Sequence, residues 1–290
     1  MKLNTMISYI NYLGYLRSNR DFLFQEFKRK EELKELLQAE KVNTVFQPIL
    51  SLGDGDTVGF EILNRPQKTE LFPTVENFYD YVSKSQNVLM VERFLRNLSL
   101  ERYSEQIKSS PCHNDQLVFL NIQPQVLADP AYLSGKTLEM LAIHNLSPEK
   151  VVLELTEKEA VIDYNLFKKM IEHYRRQGFR IAVDDAGTGY NSLKTLISLK
   201  PEFIKIDKSL IRDIEQNPSQ QHLVELLLEF AIQSDTVVIA EGIETLAELR
   251  FLKKLGVHLG QGYALGKPQP LLKNGQLPLL TNPIVRKNFV

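Results

Sequence analysis

Short hydrophobic runs separated by helical patterns dominate the sequence from about residue 43 onward. Runs of this kind that are rich in Val, Ile, Phe and Leu are typical of buried β-strands. We predict eight of them, at residues 43–51, 57–64, 117–123, 150–155, 180–185, 203–207, 236–240 and 258–264. Apolar residues at helical spacing predict helices between the later strands, at residues 163–178, 219–234 and 244–256. Alternation of strands and helices predicts a mostly parallel sheet with crossover helices.

The number and order of the strands indicate how the sheet closes. Eight strands that alternate with helices suit a closed barrel, and α/β barrels take about 250 residues. The first two strands are joined only by a short turn around residues 53–56. Parallel neighbours need a crossover of about a dozen residues, so this pair must be antiparallel. We therefore predict an α/β fold, a (β/α)8 TIM-like barrel with one antiparallel strand near the N-terminus.

A short helical arm precedes the predicted barrel. Residues 22–40 carry Leu33, Leu36 and Leu37 at helical spacing among acidic and basic residues, which predicts a solvated amphipathic helix. The preceding residues interleave Asn, Ser and Gly with apolar residues, so they make a poor signal peptide. We predict a helical arm at 1–40, which docks on the barrel or on a regulatory protein partner, and one barrel domain at 41–290.

Composition and charge exclude several classes of protein. The chain has 290 residues, with 35 Lys plus Arg and 36 Asp plus Glu, so its formal net charge is −1. A protein that binds long nucleic acids or a membrane surface by charge would carry a basic excess. No apolar run approaches the roughly 20 residues that a membrane helix needs. The single cysteine, Cys112, excludes a disulfide framework and a cysteine zinc site, and we expect a cytoplasmic protein.

Polar side chains stand near the end of almost every predicted strand, although buried parallel strands are normally apolar. They are Glu61, Asn121, Glu154, Glu157, Asp184, Asp185, Lys205, Asp207, Glu241, Glu244 and Gln261. The strand ends of an α/β barrel meet at one rim, so these side chains should lie close together. Several buried carboxylates need cations, and oxygen ligands without His or Cys favour Mg²⁺ or Mn²⁺. Two adjacent aspartates suit a pair of metal ions, which serves displacement at phosphorus.

Each of these residues also has an ordinary structural explanation. A lone strand-end Glu61 is more often a satisfied rim residue than a ligand. Glu157 suits the capping of a following helix, since acidic groups favour helix N-termini, and Lys205 is within reach of a surface pair with Glu202. Seven strand ends that all carry acidic or amide groups favour one joint function over separate explanations.

The motifs at these strand ends resemble the EAL domain, the bacterial phosphodiesterase that hydrolyses cyclic di-GMP. The matching segments are FQPI at 46–49, EIL at 61–63, NIQP at 121–124, ELTE at 154–157, DDAGTGYNSL at 184–193, KID at 205–207, AEGIET at 240–245 and QGYALGKP at 261–268. They cover roughly residues 42–270 in order. The resemblance implies a metal-dependent enzyme with two Mg²⁺ or Mn²⁺ ions per site. It would open one phosphodiester bond of cyclic di-GMP to give linear pGpG.

The resemblance also implies roles for individual residues in the metal centre. The metal ligands would be Glu61, Asn121, Glu154, Asp184, Asp185 and Asp207. Asp184 would bridge the two ions. Glu241 would act as the general base or orient the water, and Lys205 would contact that water and the phosphate.

Further roles concern the substrate and the loops. Arg65 would bind a substrate phosphate, and Gln261 would help to hold the catalytic centre and the substrate. Glu157 and Glu244 would stabilise loops, and in the family the loop that begins at Asp184 couples metal binding to dimerisation. The resemblance therefore implies a homodimer.

Three departures from the family pattern keep an alternative open. They are Ile62 in place of Ala, Gln123 in place of Ser and Ala186 in place of Phe, and none of them removes a ligand. The alternative is a non-catalytic cyclic di-GMP receptor or protein-interaction module on the same fold. A third reading is an unrelated metal-dependent barrel such as a lyase, since a fold alone does not define a function.

Overall fold

The computed structural model describes residues 3–123, 126, 135–156, 164–187 and 192–278. Eight strands close into a barrel in chain order. They are β1 (Val42–Ser51), β2 (Thr57–Pro66), β3 (Leu117–Asn121), β4 (Val151–Thr156), β5 (Arg180–Ala186), β6 (Phe203–Ile206), β7 (Val237–Ala240) and β8 (Leu259–Gly260). This confirms the predicted fold class. Only β8 is much shorter than predicted, because the chain turns after Gln261 and the Gly262 carbonyl accepts bonds from Leu265 and Gly266.

The helices of the described residues alternate with the later strands. They are α1 (Leu3–Ser18), α2 (Arg20–Leu36), α3 (Val75–Lys84), α4 (Val88–Ser109), α5 (Lys136–His144), α6 (Tyr164–Arg176), α7 (Ser192–Leu199), α8 (Lys208–Ile211), α9 (Pro218–Gln233) and α10 (Leu246–Leu255). The helices predicted at 22–40, 163–178, 219–234 and 244–256 correspond to α2, α6, α9 and α10. Helix α10 ends at Gly256, whose positive φ of 90° suits glycine at this position.

The reversed strand is β1. It pairs antiparallel with β8, with Leu50 opposite Gly260, whereas β2 to β8 pair in parallel. The turn into β2 is tight, since the Ser51 amide donates to the Asp56 carbonyl at 2.9 Å. A turn of this length reverses the chain, which confirms the prediction from the sequence.

Hydrophobic side chains form one layer outside the barrel and another layer in its interior. Residues that face outward pack against the helices in a large cluster that includes Val118, Leu153, Val183 and Ile204. A separate cluster fills the barrel interior, and its members are Ile49, Leu117, Phe119, Val152, Ala182, Phe203, Ile239 and Leu259. The outward and inward positions alternate along each strand, as the pleat requires.

On six strands, the inward position that follows the interior cluster toward the carboxyl end carries a polar side chain. This position lies in the last part of the strand or directly after it. The successive inward pairs are Phe119 and Asn121, Val152 and Glu154, Ala182 and Asp184, Phe203 and Lys205, Ile239 and Glu241, and Leu259 and Gln261. Each pair is separated by two residues, which is the period of a strand. The same two-residue step leads from Gly59 to Glu61 on β2, where an added Cβ at Gly59 would lie 2.6 Å from the Leu117 carbonyl. The apolar layer therefore supports a polar layer at the carboxyl ends of the strands.

The chain divides into two compact units. The first comprises residues 1–43 and 65–81, and the second comprises residues 44–64 and 82–290. In the first unit, the Phe72 ring packs edge to face on Phe78, with the ring centroids 5.8 Å apart. Its centroid lies 5.4 Å from that of the Tyr81 ring. The domain boundary between residues 40 and 41 stays a prediction. Within the described residues, no helix combines the length and apolar character that crossing a membrane requires.

Candidate active site

A single lysine lies at the centre of the polar layer. Lys205 is 1% exposed, and its ammonium group faces four carboxylates. The distances from Nζ to the nearest oxygens are 2.7 Å to Glu241, 2.8 Å to Glu154, 3.6 Å to Glu61 and 3.7 Å to Asp184. Within the described residues, four acidic side chains therefore share one internal cation, and the cluster has an excess of negative charge.

Amide side chains hold one of these carboxylates in place. Asn121 Nδ2 donates to Glu61 Oε1 at 3.0 Å, and Gln261 Nε2 donates to Glu61 Oε2 at 2.7 Å. Burial opposes the charge of Glu61, but Lys205 and these two hydrogen bonds lower its pKa. Glu61 therefore stays ionised and oriented between Asn121 at the end of β3 and Gln261 directly after β8.

The other three carboxylates of the cluster have raised pKa values. Burial raises the pKa of Glu154 well above its usual value, and it raises the pKa of Glu241 to about 8. Burial also raises the pKa of Asp184. In each case neighbouring carboxylates add to the effect and Lys205 opposes it. A further positive charge in the cluster would offset these shifts, because it favours the ionised carboxylates.

The donor atoms fit a divalent cation. Both carboxylate oxygens of Glu154 are buried; Oε1 lies 2.8 Å from the Lys205 ammonium group, whereas Oε2 has no hydrogen-bond donor among the described residues. Buried oxygens without a donor are uncommon in proteins, and a metal ion satisfies them. Oxygen atoms of Asp184, Asp185 and Glu241 all lie within 4.8 Å of one another, which suits a shared ion.

A bulge in β5 brings the two adjacent aspartates together. The pairing of β5 with β6 shifts register between Val183 and Ala186, and Asp185 has a positive φ of 56°. Consecutive side chains of a regular strand point to opposite faces, but a bulge re-aims one of them. The Asp185 amide also donates to Asp184 Oδ1 at 2.9 Å. Both carboxylates therefore reach the same cluster.

The remaining predicted residues lie apart from these contacts or beyond the described residues. Asp207 caps α8, where its Oδ1 accepts a bond from the Ser209 amide at 2.9 Å. Glu244 lies 3.8 Å from Arg212 at the surface. Arg65 lies four residues past Glu61 in β2 and is partly exposed. Glu157 lies outside the described residues, so its role, like the individual roles of the other residues, stays a prediction.

One residue beside this site was not among those predicted from the sequence. Glu248 is 2% exposed and forms a capping box with Thr245 at the start of α10. The pattern Thr-x-x-Glu before an apolar helix is the signal that would have identified it.

Comparison with known proteins assigns the family. Residues 30–268 match the family model described as the EAL domain. This chain belongs to the EAL domain family. Among curated proteins, it is 34% identical over 173 residues to the probable cyclic di-GMP phosphodiesterase PdeA of Escherichia coli K12. That alignment covers 59% of this chain and 24% of PdeA, and this EAL chain spans less than half the length of the curated relatives that it matches.

Solved structures of EAL proteins share the barrel. A standalone EAL protein from Vibrio cholerae O395 in its c-di-GMP-bound form is 27% identical, with a TM-score of 0.68 over 81% of this chain and 95% of that chain. Klebsiella pneumoniae BlrP1 in a manganese and cyclic di-GMP complex is 25% identical, with a TM-score of 0.69 over 79% of this EAL chain and 56% of that chain.

Proposed function

We propose that this EAL chain is a metal-dependent phosphodiesterase that hydrolyses one phosphodiester bond of cyclic di-GMP to linear pGpG. The observation that carries the proposal is the cluster of Glu61, Glu154, Asp184 and Glu241 around Lys205. The c-di-GMP complexes of the Vibrio and Klebsiella proteins support the choice of substrate. The probable activity in the name of PdeA supports the choice of reaction.

We propose two Mg²⁺ or Mn²⁺ ions as the cofactors. The ligands would be Glu61, Asn121, Glu154, Asp184, Asp185 and Asp207, the last through the carboxylate oxygen that does not cap α8. When bound, such ions polarise phosphoryl oxygens and lower the pKa of water, which makes it a nucleophile at neutral pH. The manganese in the BlrP1 structure and the oxygen-only donor set of this chain support the proposal.

The protein's own side chains would handle the proton and the charge. Glu241 accepts the proton of the attacking water as the new bond between that oxygen and phosphorus forms. The bond from phosphorus to the 3′ oxygen breaks, this oxygen takes up a proton from solvent, and Glu241 returns its proton to solvent, so the product is linear pGpG. Lys205 offsets the negative charge on the phosphoryl oxygens. Arg65 binds a substrate phosphate, and Gln261 keeps Glu61 in its orientation.

A metal-dependent turnover assay tests the proposed activity. We expect the purified chain to convert cyclic di-GMP to pGpG with Mg²⁺ or Mn²⁺, because the metal supplies the charge that the acidic cluster lacks. EDTA should abolish turnover, and excess Mn²⁺ should restore it. Product identification by mass spectrometry is the measurement. Tight cyclic di-GMP binding in calorimetry without any turnover would instead support the receptor function.

The pH dependence of metal binding follows from the raised pKa of about 8 at Glu241. Below that pH the metal-free carboxyl group is largely protonated, and a cation displaces the proton. We expect Mn²⁺ affinity to rise between pH 6 and 8.5, with release of at least one proton per site near pH 7, because Glu154 and Asp184 also have raised pKa values. Titration calorimetry in buffers with different ionisation enthalpies measures this release. Heats that do not depend on the buffer would contradict the prediction.

We also propose a cytoplasmic location, a homodimer and a regulatory protein partner at residues 1–40. Support for the partner comes from large side chains in α1 and α2 that remain about half exposed. They are Tyr9, Tyr12, Leu13, Tyr15, Phe22, Phe24 and Phe27.

A further inference from the structure

The Glu248 carboxylate connects two chain segments that follow adjacent strands. Its Oε2 accepts hydrogen bonds from the backbone amides of Glu244, at 2.8 Å, and Thr245, at 2.9 Å. Its Oε1 accepts a bond from the Asp213 amide at 3.1 Å. Burial opposes ionisation, but these three amides lower the pKa of Glu248. An ionised carboxylate with three donors makes strong, directional bonds.

One of the two connected segments begins with the catalytic candidate Glu241, and the other directly follows the strand that carries Lys205. Residues 241–245 follow β7 and begin with Glu241. Residues 207–213 follow β6, which ends just after Lys205. Each segment is therefore the stretch of chain that comes directly after a strand and its polar layer.

The two segments also contact each other directly, independently of the hydrogen bonds that Glu248 accepts. The Glu241 amide donates to the Ile206 carbonyl at 3.1 Å. Gly242 has a φ of +68°, and an added Cβ there would lie 2.4 Å from Lys208 Cβ. On its other side, the segment is fixed by the Ile243 amide, which donates to the Gln261 carbonyl at 3.0 Å. The segment that carries Glu241 thus has little room to move.

We infer that Glu248 is a positioning residue that sets the placement of Glu241 relative to Lys205 by holding residues 241–245 against residues 207–213. The inference rests on the proposed function. Capping of α10 alone requires only the bonds that the carboxylate accepts from the Glu244 and Thr245 amides. The bond to Asp213 is additional, because it reaches a residue 35 positions away in another segment.

Three variants separate positioning from helix capping. Glu248→Ala removes all three bonds of the carboxylate. Glu248→Gln keeps one acceptor oxygen for Glu244 and Thr245, but its amide group has no acceptor for Asp213. Thr245→Ala is the matched control. It removes the cap bond that the Glu248 backbone amide donates to Thr245 Oγ1, and it leaves the Glu248 carboxylate intact.

The first measurement is steady-state hydrolysis of cyclic di-GMP with Mn²⁺. We expect Glu248→Ala to lower kcat by about 10- to 100-fold with KM within about twofold, since small displacements of catalytic groups cost this much. Glu248→Gln should lower kcat by an intermediate factor. Thr245→Ala should lower Tm and keep kcat within about twofold. Equal kcat losses in Thr245→Ala and Glu248→Ala would overturn the inference.

The second measurement is hydrogen–deuterium exchange of the same proteins, which needs no turnover. We expect Glu248→Ala to speed exchange in residues 241–245 and 207–213 together, and Glu248→Gln to do so chiefly at Asp213. Thr245→Ala should affect only the first turn of α10. If the wild-type chain does not hydrolyse cyclic di-GMP, the proposed function fails, and exchange alone then decides whether Glu248 joins the segments. Faster exchange in only one segment would overturn the positioning role.

Discussion

Glu241→Gln should reduce the kcat for cyclic di-GMP by about 10²- to 10⁴-fold, which is the usual contribution of a general base. Glutamine has nearly the same shape, and its oxygen can still accept a bond from Lys205, which lies 2.7 Å from Glu241 Oε1. It cannot accept the proton of an attacking water. The Glu241 side chain keeps 19% of its surface exposed, so water reaches it. Steady-state kinetics with Mn²⁺, together with calorimetric binding of cyclic di-GMP, measure the effect.

The control for this variant is Glu229→Gln, which makes the same chemical change on the exposed face of α9. We expect wild-type kinetics from the control and near wild-type substrate affinity from both variants. A Glu241→Gln protein with a rate close to that of the wild type would refute the role of Glu241 as base. A loss of substrate affinity without a change in kcat would assign Glu241 to binding instead.

Lys205→Met should lower the free energy of unfolding of the metal-free protein by about 3–5 kcal/mol at pH 8, the usual cost of removing one partner from a buried ion pair. Among the described residues, the four carboxylates would then share no internal cation, and all four pKa values would rise, including that of Glu61, which Lys205 lowers in the wild type. The folded state would hold protons that the unfolded state releases above about pH 4.5, the ordinary value for a glutamate. Stability should therefore fall as the pH rises from about 4.5 to 8.

Thermal unfolding at pH 5.5 and pH 8, with and without Mn²⁺, measures this effect. We expect a larger loss of Tm at pH 8 and partial recovery with Mn²⁺, because a ligand that binds only the folded state stabilises it. The control is Lys254→Met on the exposed face of α10, where the change in unfolding free energy should stay within about 0.5 kcal/mol. An equal loss at both pH values would show that Lys205 contributes packing and not charge.

The strands and the candidate cluster were accessible from the sequence for a simple reason. Inward positions repeat every second residue, and Phe203 with Lys205 or Val152 with Glu154 shows an apolar residue followed by a polar one at the strand end. Closure of a parallel barrel brings all such ends to one rim. The residue types then indicated oxygen ligands for divalent ions without any knowledge of distances.

Local geometry within that rim was not accessible in the same way. Asp184 and Asp185 would point to opposite faces of a regular strand, and only the bulge in β5 brings both to the cluster. Asp207 follows Lys205 by two residues, yet it caps α8 in the structure. The sequence pattern treats these positions alike, because it records period and residue type but not backbone irregularity.

The sequence by itself determined the eight strands, the reversed first strand and the set of acidic residues around one lysine, since these depend on periodicity, loop length and composition. The tertiary structure decided that Lys205 lies within 4 Å of four carboxylates, three on different strands and one directly after β7. It also decided that Glu248 joins Asp213 to the start of α10. Contacts between residues far apart in the chain depend on barrel closure and on the path of the loops, which no local pattern encodes.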